Sequence, residues 1–357
     1  MALAACAAMA LTAACGPEDD PQETFVALEP SAESTAPLSE SNGIAVTPEG
    51  IACVIDSFEI RIYCADRDGR TVGYFGREGD GPGEFIGLTS IDRAPDGGIV
   101  VVDMERGRLL SFRPTGELLS ESKAPAAFIP TGRIAGSLFG KALVSDENVE
   151  VDIASGDITW SRKYPRPDGL DAPACVENQF AWLDFGIPTP RGGMLFRACR
   201  GQLLIWYADR DDDAPAEVAV VPTYRRKLPR EAEVESYIRG LTRLAGGAAP
   251  SASDVEAFRN RPRNWHTYRA RFDSKGRAWM ATRRGAGDFS YIDVHDGVAY
   301  LGTVRVQHSL IGMDITGSVL VVLVDRPVRS DDATGIPQRG IDWYDIVDLE
   351  STDPAPH

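Results

Sequence analysis

Hydrophobic positions in this chain come in short bursts, each opened by a glycine turn and closed by an aspartate. The run Gly50-Ile51-Ala52-Cys53-Val54-Ile55-Asp56 is followed by a turn at Phe58 and Glu59. A second apolar run, Arg61-Ile62-Tyr63, leads to Asp68-Gly69. The same grammar returns in Gly98-Ile99-Val100-Val101-Val102-Asp103, then Arg108-Leu109-Leu110, then Thr115-Gly116. Asp56 and Asp103, Arg61 and Arg108, and Gly69 and Gly116 are each 47 residues apart. β-Branched runs punctuated by Gly, Asp and Pro are strand and hairpin signals, so each unit predicts several short antiparallel strands.

Four looser copies follow. They begin at Gly140-Lys141-Ala142-Leu143, Gly193-Met194-Leu195-Phe196, Gly276-Arg277-Ala278-Trp279 and Gly317-Ser318-Val319-Leu320. Six units of this length, rich in strands and almost without helices, predict an all-β fold: a six-bladed β-propeller of four-stranded antiparallel blades with a short helical insertion. The aspartate that ends each strand reads as a turn former bonding its own backbone rather than as a metal ligand.

Between the first two units lies the glycine-rich segment Gly73-Tyr74-Phe75-Gly76-Arg77-Glu78-Gly79-Asp80-Gly81-Pro82-Gly83-Glu84-Phe85. It lacks the G-K-[ST] ending and the following helix of a phosphate loop. Over about residues 44–118 the chain resembles NHL-type repeats and the wider TolB-like group of bacterial six-bladed β-propeller proteins. In that group such a segment follows the outer strand and leads to the next blade. The resemblance implies a disc of blades around a central channel.

The propeller is expected to span residues 44–348, with a disordered tail at 349–357. The last unit supplies three strands, Leu310–Ile315, Val319–Val324 and Ile341–Val347, and lacks a fourth. The polar stretch 16–43 has too few apolar residues to fold and reads as a flexible tether. Within it Thr24-Phe25-Val26-Ala27-Leu28 has strand composition. It is predicted to close the ring as the outer strand of the last blade, which would cover an otherwise unpaired edge.

Residues 1–15 form an apolar run too short to span a bilayer and read as a signal peptide. Leu11-Thr12-Ala13-Ala14-Cys15-Gly16 resembles a bacterial lipobox, which makes Cys15 the candidate lipidation site; the alternative is a cleaved signal with an incidental cysteine. The chain is therefore expected to be exported and membrane-anchored by its lipid, on the periplasmic side of an outer membrane or at the cell surface. In an exported chain the remaining cysteines, Cys53, Cys64, Cys175 and Cys199, read as disulfides. Cys53 and Cys64 are symmetric about the Phe58/Glu59 turn and so face each other across a hairpin. Cys175 and Cys199 pair by elimination. A four-cysteine zinc site would need closer spacings than the 11 and 24 found here.

A formal charge of −16 and a pI near 4.8 argue against a nucleic-acid binder, which needs a basic face. Positive charge is concentrated locally, in residues 226–262 and their flanks. Pro229 with acids at Glu231, Glu233 and Glu235 reads as a helix start, with Val234, Ile238 and Leu241 as one stripe. Ser253-Asp254-Val255-Glu256 reads as the capping box of a second short helix. By topology this insertion joins an outer strand to the next inner strand, on the channel face. Candidate ligand-face residues are Arg225, Arg226, Arg261, Arg263, Trp265, His266 and Tyr268.

Nothing demands an enzyme. Only His266, His295, His308 and His357 are present, too few for a His-rich metal site, and no G-x-S-x-G elbow occurs. The expected function is a non-catalytic binding or scaffold module whose channel face takes a protein or small-molecule ligand, as a monomer without a cofactor. The alternative is a metal-assisted hydrolase or lactonase with Ca²⁺ or Zn²⁺ held in the channel.

Overall fold

The computed structural model describes residues 25–35, 38, 41–164, 186–244, 248–266, 270–284, 288–326 and 338–346. They form a six-bladed β-propeller. Blade one is Ser41–Val46, Ala52–Asp56, Arg61–Ala65 and Thr71–Phe75, in that order from the axis outward. Blade two is Leu88–Arg93, Ile99–Asp103, Arg108–Phe112 and Leu118–Lys123; blade three is Phe128–Ile134, Ser137–Ala142, Glu147–Asp152 and Ile158–Arg162. Blade four is Ile187–Pro188, Met194–Ala198, Leu203–Tyr207 and Glu217–Val220. Blade five is Arg271–Phe272, Ala278–Ala281, Phe289–Asp296 and Ala299–Gln307, and blade six begins with Ser309–Thr316, Val319–Arg326 and Gln338–Asp345.

The ring is closed because each apolar core lies between two blades rather than within one. Cys53, Ile55 and Ile62 of blade one pack against Ile91, Val101 and Phe112 of blade two. The same holds around the disc, and the last core joins Val321, Leu323 and Trp343 of blade six to Ile44, Val54 and Tyr63 of blade one. A sheet that buries both faces has nowhere to end except against its own first copy.

The repeat grammar has a direct structural meaning. Asp56 accepts hydrogen bonds from the backbone N–H groups of Phe58 and Glu59, both at 3.1 Å. Asp103 accepts from Ile86 and Gly87 and from the Arg108 guanidinium at 3.1 Å. Asp103 stands opposite Arg108 in the ladder, as Asp56 stands opposite Arg61 and Asp325 opposite Arg339. These aspartates are turn and ladder formers, as expected. The glycine-rich segment folds over the edge of the core so that Phe85 is fully buried. Gly76, at φ +93°, lies so close to that ring that a Cβ would come within 2.6 Å of it.

The ring closes with a different strand from the one expected. Ala32–Thr35 pairs antiparallel with Gln338–Asp345 as the outer strand of blade six. Phe25–Ala27 instead adds a fifth, parallel strand to the outer edge of blade five, beside Ala299–Gln307. Its apolar side chains decide that choice. Leu28 is buried in the core between blades five and six, and Phe25 packs on Tyr291 and under the Arg305 guanidinium. The closing strand carries almost no apolar signal because an outer strand needs only backbone pairing. The propeller therefore takes in part of the stretch expected to be a flexible tether, and Ser41–Val46 is already the inner strand of blade one. The segment expected to be a signal peptide and the 349–357 tail lie outside the described residues.

Cys53 and Cys64 pair across their hairpin and form a disulfide, with Cα atoms 4.1 Å apart. Cys199 is also disulfide-bonded; Cys175 and Cys15 lie outside the described residues.

Candidate functional site

The insertion forms two helices, α1 (Glu231–Leu244) and α2 (Ala252–Asn260). Ser251 caps α2, its hydroxyl accepting from the Asp254 N–H at 3.1 Å. The capping residue is thus two positions earlier than the predicted Ser253. The helices meet through stacked rings of Tyr237 and Phe258, whose centroids are 4.0 Å apart. The root of the insertion is clamped by the second-to-third-strand turns of blades four and five. Trp265 N–H donates to the Arg200 carbonyl at 2.7 Å, and Arg283 N–H donates to the Trp265 carbonyl at 2.8 Å. The hairpin thus stands on the face where those turns lie.

The basic residues of the insertion are largely spent on its own acids. Arg259 pairs with Glu231 at 2.6 Å, and Arg263 and Arg283 converge on Glu233 at 3.3 and 3.5 Å. Arg239 lies 3.7 Å from Glu235. Local positive charge counted along the chain is therefore not a free basic patch. Arg225 is half-buried and donates to the Pro222 and Tyr224 carbonyls, while Arg226 and Arg261 are exposed. Trp265 and His266, expected at the ligand face, are buried instead, because the returning chain dives between blades four and five. Tyr268 lies outside the described residues.

Two buried polar clusters define the interior chemistry. The first fills the axis. Asp92 and Arg93 come from the inner strand of blade two, Arg133 from blade three, Arg271 from blade five and Asp314 from blade six. Arg133 is 3.1 Å from Asp92, and Arg271 is 3.0 Å from Asp314 and 3.6 Å from Asp92. Arg93 lies 3.8 Å from Asp314 and donates to the Ile315 carbonyl, and the Val46 N–H of blade one donates to Asp314. Five blades are thus tied across the channel. Three guanidinium groups against two carboxylates is a poor donor set for a divalent cation and a good one for locking the ring.

The second cluster lies between blades four and five. Asp293 and His295 are two apart on Phe289–Asp296, so both side chains leave the same face of the strand. His266 reaches them from the segment that returns from the hairpin. All three are buried, and one donor atom from each falls within 4.8 Å of the other two. Asp293 is held firmly: one oxygen accepts from Thr303 and from Arg284, the other from Thr223. Thr223 in turn accepts from the Trp265 indole at 3.2 Å.

The imidazoles are less well served. His266 Nε2 is 3.8 Å from Asp293, beyond hydrogen-bond range, and neither of its ring nitrogens has a partner among the described residues. His295 Nδ1 makes one long contact, 3.5 Å to the Val298 carbonyl, and its Nε2 has none. Burial pushes His266 below the usual imidazole range and His295 down to about 4, the latter with help from neighbouring His266. Burial opposes ionisation of Asp293, but His266, Arg284 and Thr223 together hold its carboxyl below the ordinary value.

Counting histidines overlooks this pair. The available signal was the alternation Asp293-Val294-His295 inside a strand-like run, which puts two ligand types on one face. Asp92, Arg93, Arg133, Arg271 and Asp314 are harder to see, because they are scattered over four units and meet only when the ring closes. On the opposite face, between blades four and five, lies a cavity of about 220 Å³ lined in part by Trp206, Phe272, Arg191 and Asp296.

Residues 24–134 match the model of a family described as a 6-bladed beta-propeller. No curated protein sequence matches the chain. Among solved structures, a member of the duf4221 family from Bacteroides vulgatus is similar at 10% identity and TM-score 0.48, covering 88% of this chain and 97% of that one. Regucalcin from Agrobacterium tumefaciens, a calcium-binding protein, is similar at 13% identity and TM-score 0.46, with 91% and 97% covered. A catalytically inactive virginiamycin B lyase from Staphylococcus aureus with quinupristin follows at 11% identity and TM-score 0.45, with 88% and 98% covered. Likeness this low assigns neither ligand nor activity.

Proposed function

We propose that this chain is an exported, lipid-anchored propeller that acts as a binding or scaffold module, and that it engages a protein partner with the face bearing the α1–α2 hairpin. One observation carries the reading. The hairpin contributes little to the cores, since α2 has no buried residue, yet it is built with a proper cap, a stacked aromatic pair and its own ion pairs. An element that the ring does not need for packing, held together on one face by its own cap, stacked rings and ion pairs, is suited to recognition. The lipid anchor rests on the Cys15 motif. Among the described residues no helix is long and apolar enough to cross a membrane.

The alternative of a channel-bound divalent ion driving hydrolysis has weaker support, because both channel acids, Asp92 and Asp314, face arginines. Site-specific photo-crosslinking in the cell envelope tests the main reading. A crosslinker at Arg261 should capture a discrete partner, and one at Gly192, in a turn on the opposite face, should not. Equal capture from both, or none from Arg261, would overturn it.

A further inference from the structure

We propose that His266, Asp293 and His295 bind a single borderline divalent transition ion such as Zn²⁺, buried between blades four and five and separate from both the channel and the hairpin surface. The argument begins with what a folded protein tolerates. A buried polar atom without a partner costs about 1–3 kcal/mol, and native cores rarely carry several together. Here three imidazole nitrogens of two buried rings, both from His266 and one from His295, lack partners among the described residues, and one donor atom of each ring lies within 4.8 Å of the other and of an Asp293 oxygen.

The donor set selects the ion. Two imidazoles and one carboxylate suit Zn²⁺, Co²⁺ or Ni²⁺, whereas Ca²⁺ and Mg²⁺ prefer all-oxygen shells. Ligand atoms around a tetrahedral zinc lie ~3.4 Å apart. The present separations, up to 4.8 Å, mean that the side chains must draw inward on binding.

The surroundings have the form of an outer shell. Asp293 is oriented through one oxygen by Arg284 and Thr303, which leaves the oxygen shared with Thr223 turned toward His266. His295 directs Nδ1 to a backbone carbonyl, which leaves Nε2 free to ligate. Arg284 already balances the charge of Asp293, so the site should bind more weakly than a thiolate cage. Because His266 lies in the segment returning from the hairpin, the ion would fasten the hairpin root to blade five.

The test uses the full chain carrying a non-histidine tag. After incubation with about 10 equivalents of Zn²⁺ or Co²⁺ and desalting, elemental analysis should find about one equivalent retained. Co²⁺ should give visible bands of nitrogen–oxygen ligation, and Zn²⁺ should raise Tm reversibly to chelator. His266→Gln and His295→Gln should each abolish retention, and His308→Gln should not. No retained metal in the unmodified protein, or one equivalent still retained by the His266→Gln/His295→Gln double variant, overturns the proposal. If the variants fail to fold, the Co²⁺ spectrum of the unmodified protein decides alone, since bands lacking imidazole ligation would be as damaging.

Discussion

The axis of the ring and the gap between blades four and five both bury charge, and they do so on opposite principles. Along the axis each acid meets at least one guanidinium, and the partners come from separate blades. Between blades four and five, Asp293 is well served while the two imidazoles beside it are not. The first arrangement balances its charges with protein atoms, though Arg93 Nε and Arg271 Nε make no hydrogen bond among the described residues. The second, on the proposal above, is completed by an added ion. Buried polarity therefore says little by itself, and what matters is whether the pairing closes.

The sharpest way to break this comparison is at Arg271, which bridges Asp92 and Asp314. Arg271→Ala leaves both carboxylates short of a partner inside the ring. A loss of about 3–5 kcal/mol is expected, read from denaturant unfolding, because a buried pair is costly to break from one side. A loss below about 1 kcal/mol would mean that the axis is hydrated and the ring holds without it.

Asp342 is an intermediate case. It stands opposite Glu33 of the closing strand and accepts from Arg326, so one guanidinium serves a buried acid with another acid beside it. Burial raises its carboxyl to about 6, with Glu33 adding to the effect and Arg326 opposing it. A folded value above the unfolded one contributes stability that is complete below about pH 4 and is lost as pH rises through about 6. The stability of the unmodified protein relative to Asp342→Asn should therefore fall by about 2 kcal/mol between pH 4 and pH 6.5. A difference that stays flat over that window would show that Arg326 alone satisfies the site.

These clusters also mark where reading the residues in order succeeds and where it stops. Strand bursts, glycine turns, the Cys53–Cys64 pair and both helices are local, and each is visible within a short window. Long-range choices are not. Thr24–Leu28 and Ala32–Thr35 compete for one open edge. The apolar segment reads as the better strand, but a ring's last blade needs backbone pairing while blade five offers an apolar flank for Leu28. The axial ring and the His266 cluster are the same kind of problem, since they join segments 27 to 222 residues apart and acquire meaning only through closure. The basic count around 225–263 misled for a related reason. Charge along a chain does not show which acid a helix will place opposite it.

At His295 the comparison predicts a small effect whose sign depends on the ion. With chelator present, His295→Leu replaces a ring that has one unpartnered nitrogen by an apolar group of similar size. The change should lie within about 1 kcal/mol of zero and can be stabilising, since removing an unpaired buried polar atom relieves its desolvation cost. With Zn²⁺ present the same substitution should forfeit whatever the ion adds to Tm. A large loss in chelator would show that the imidazole is satisfied by the protein and its water, and the contrast with the axis would fail.

The smallest effect belongs to the hairpin, where pairing is exposed to solvent. Arg259 and Glu231 are 2.6 Å apart, yet both side chains are about half exposed. Arg259→Ala should leave Tm essentially unchanged, as exposed pairs contribute little. Phe258→Ala removes the stacked partner of Tyr237 and should loosen α2 without unfolding the ring, because none of the six inter-blade cores includes Phe258. Hydrogen exchange confined to 231–260 would register that change while Tm stayed within a degree or two. If Phe258→Ala instead lowered Tm sharply, the hairpin would be part of the structural ring, and its rigidity would no longer need recognition to explain it.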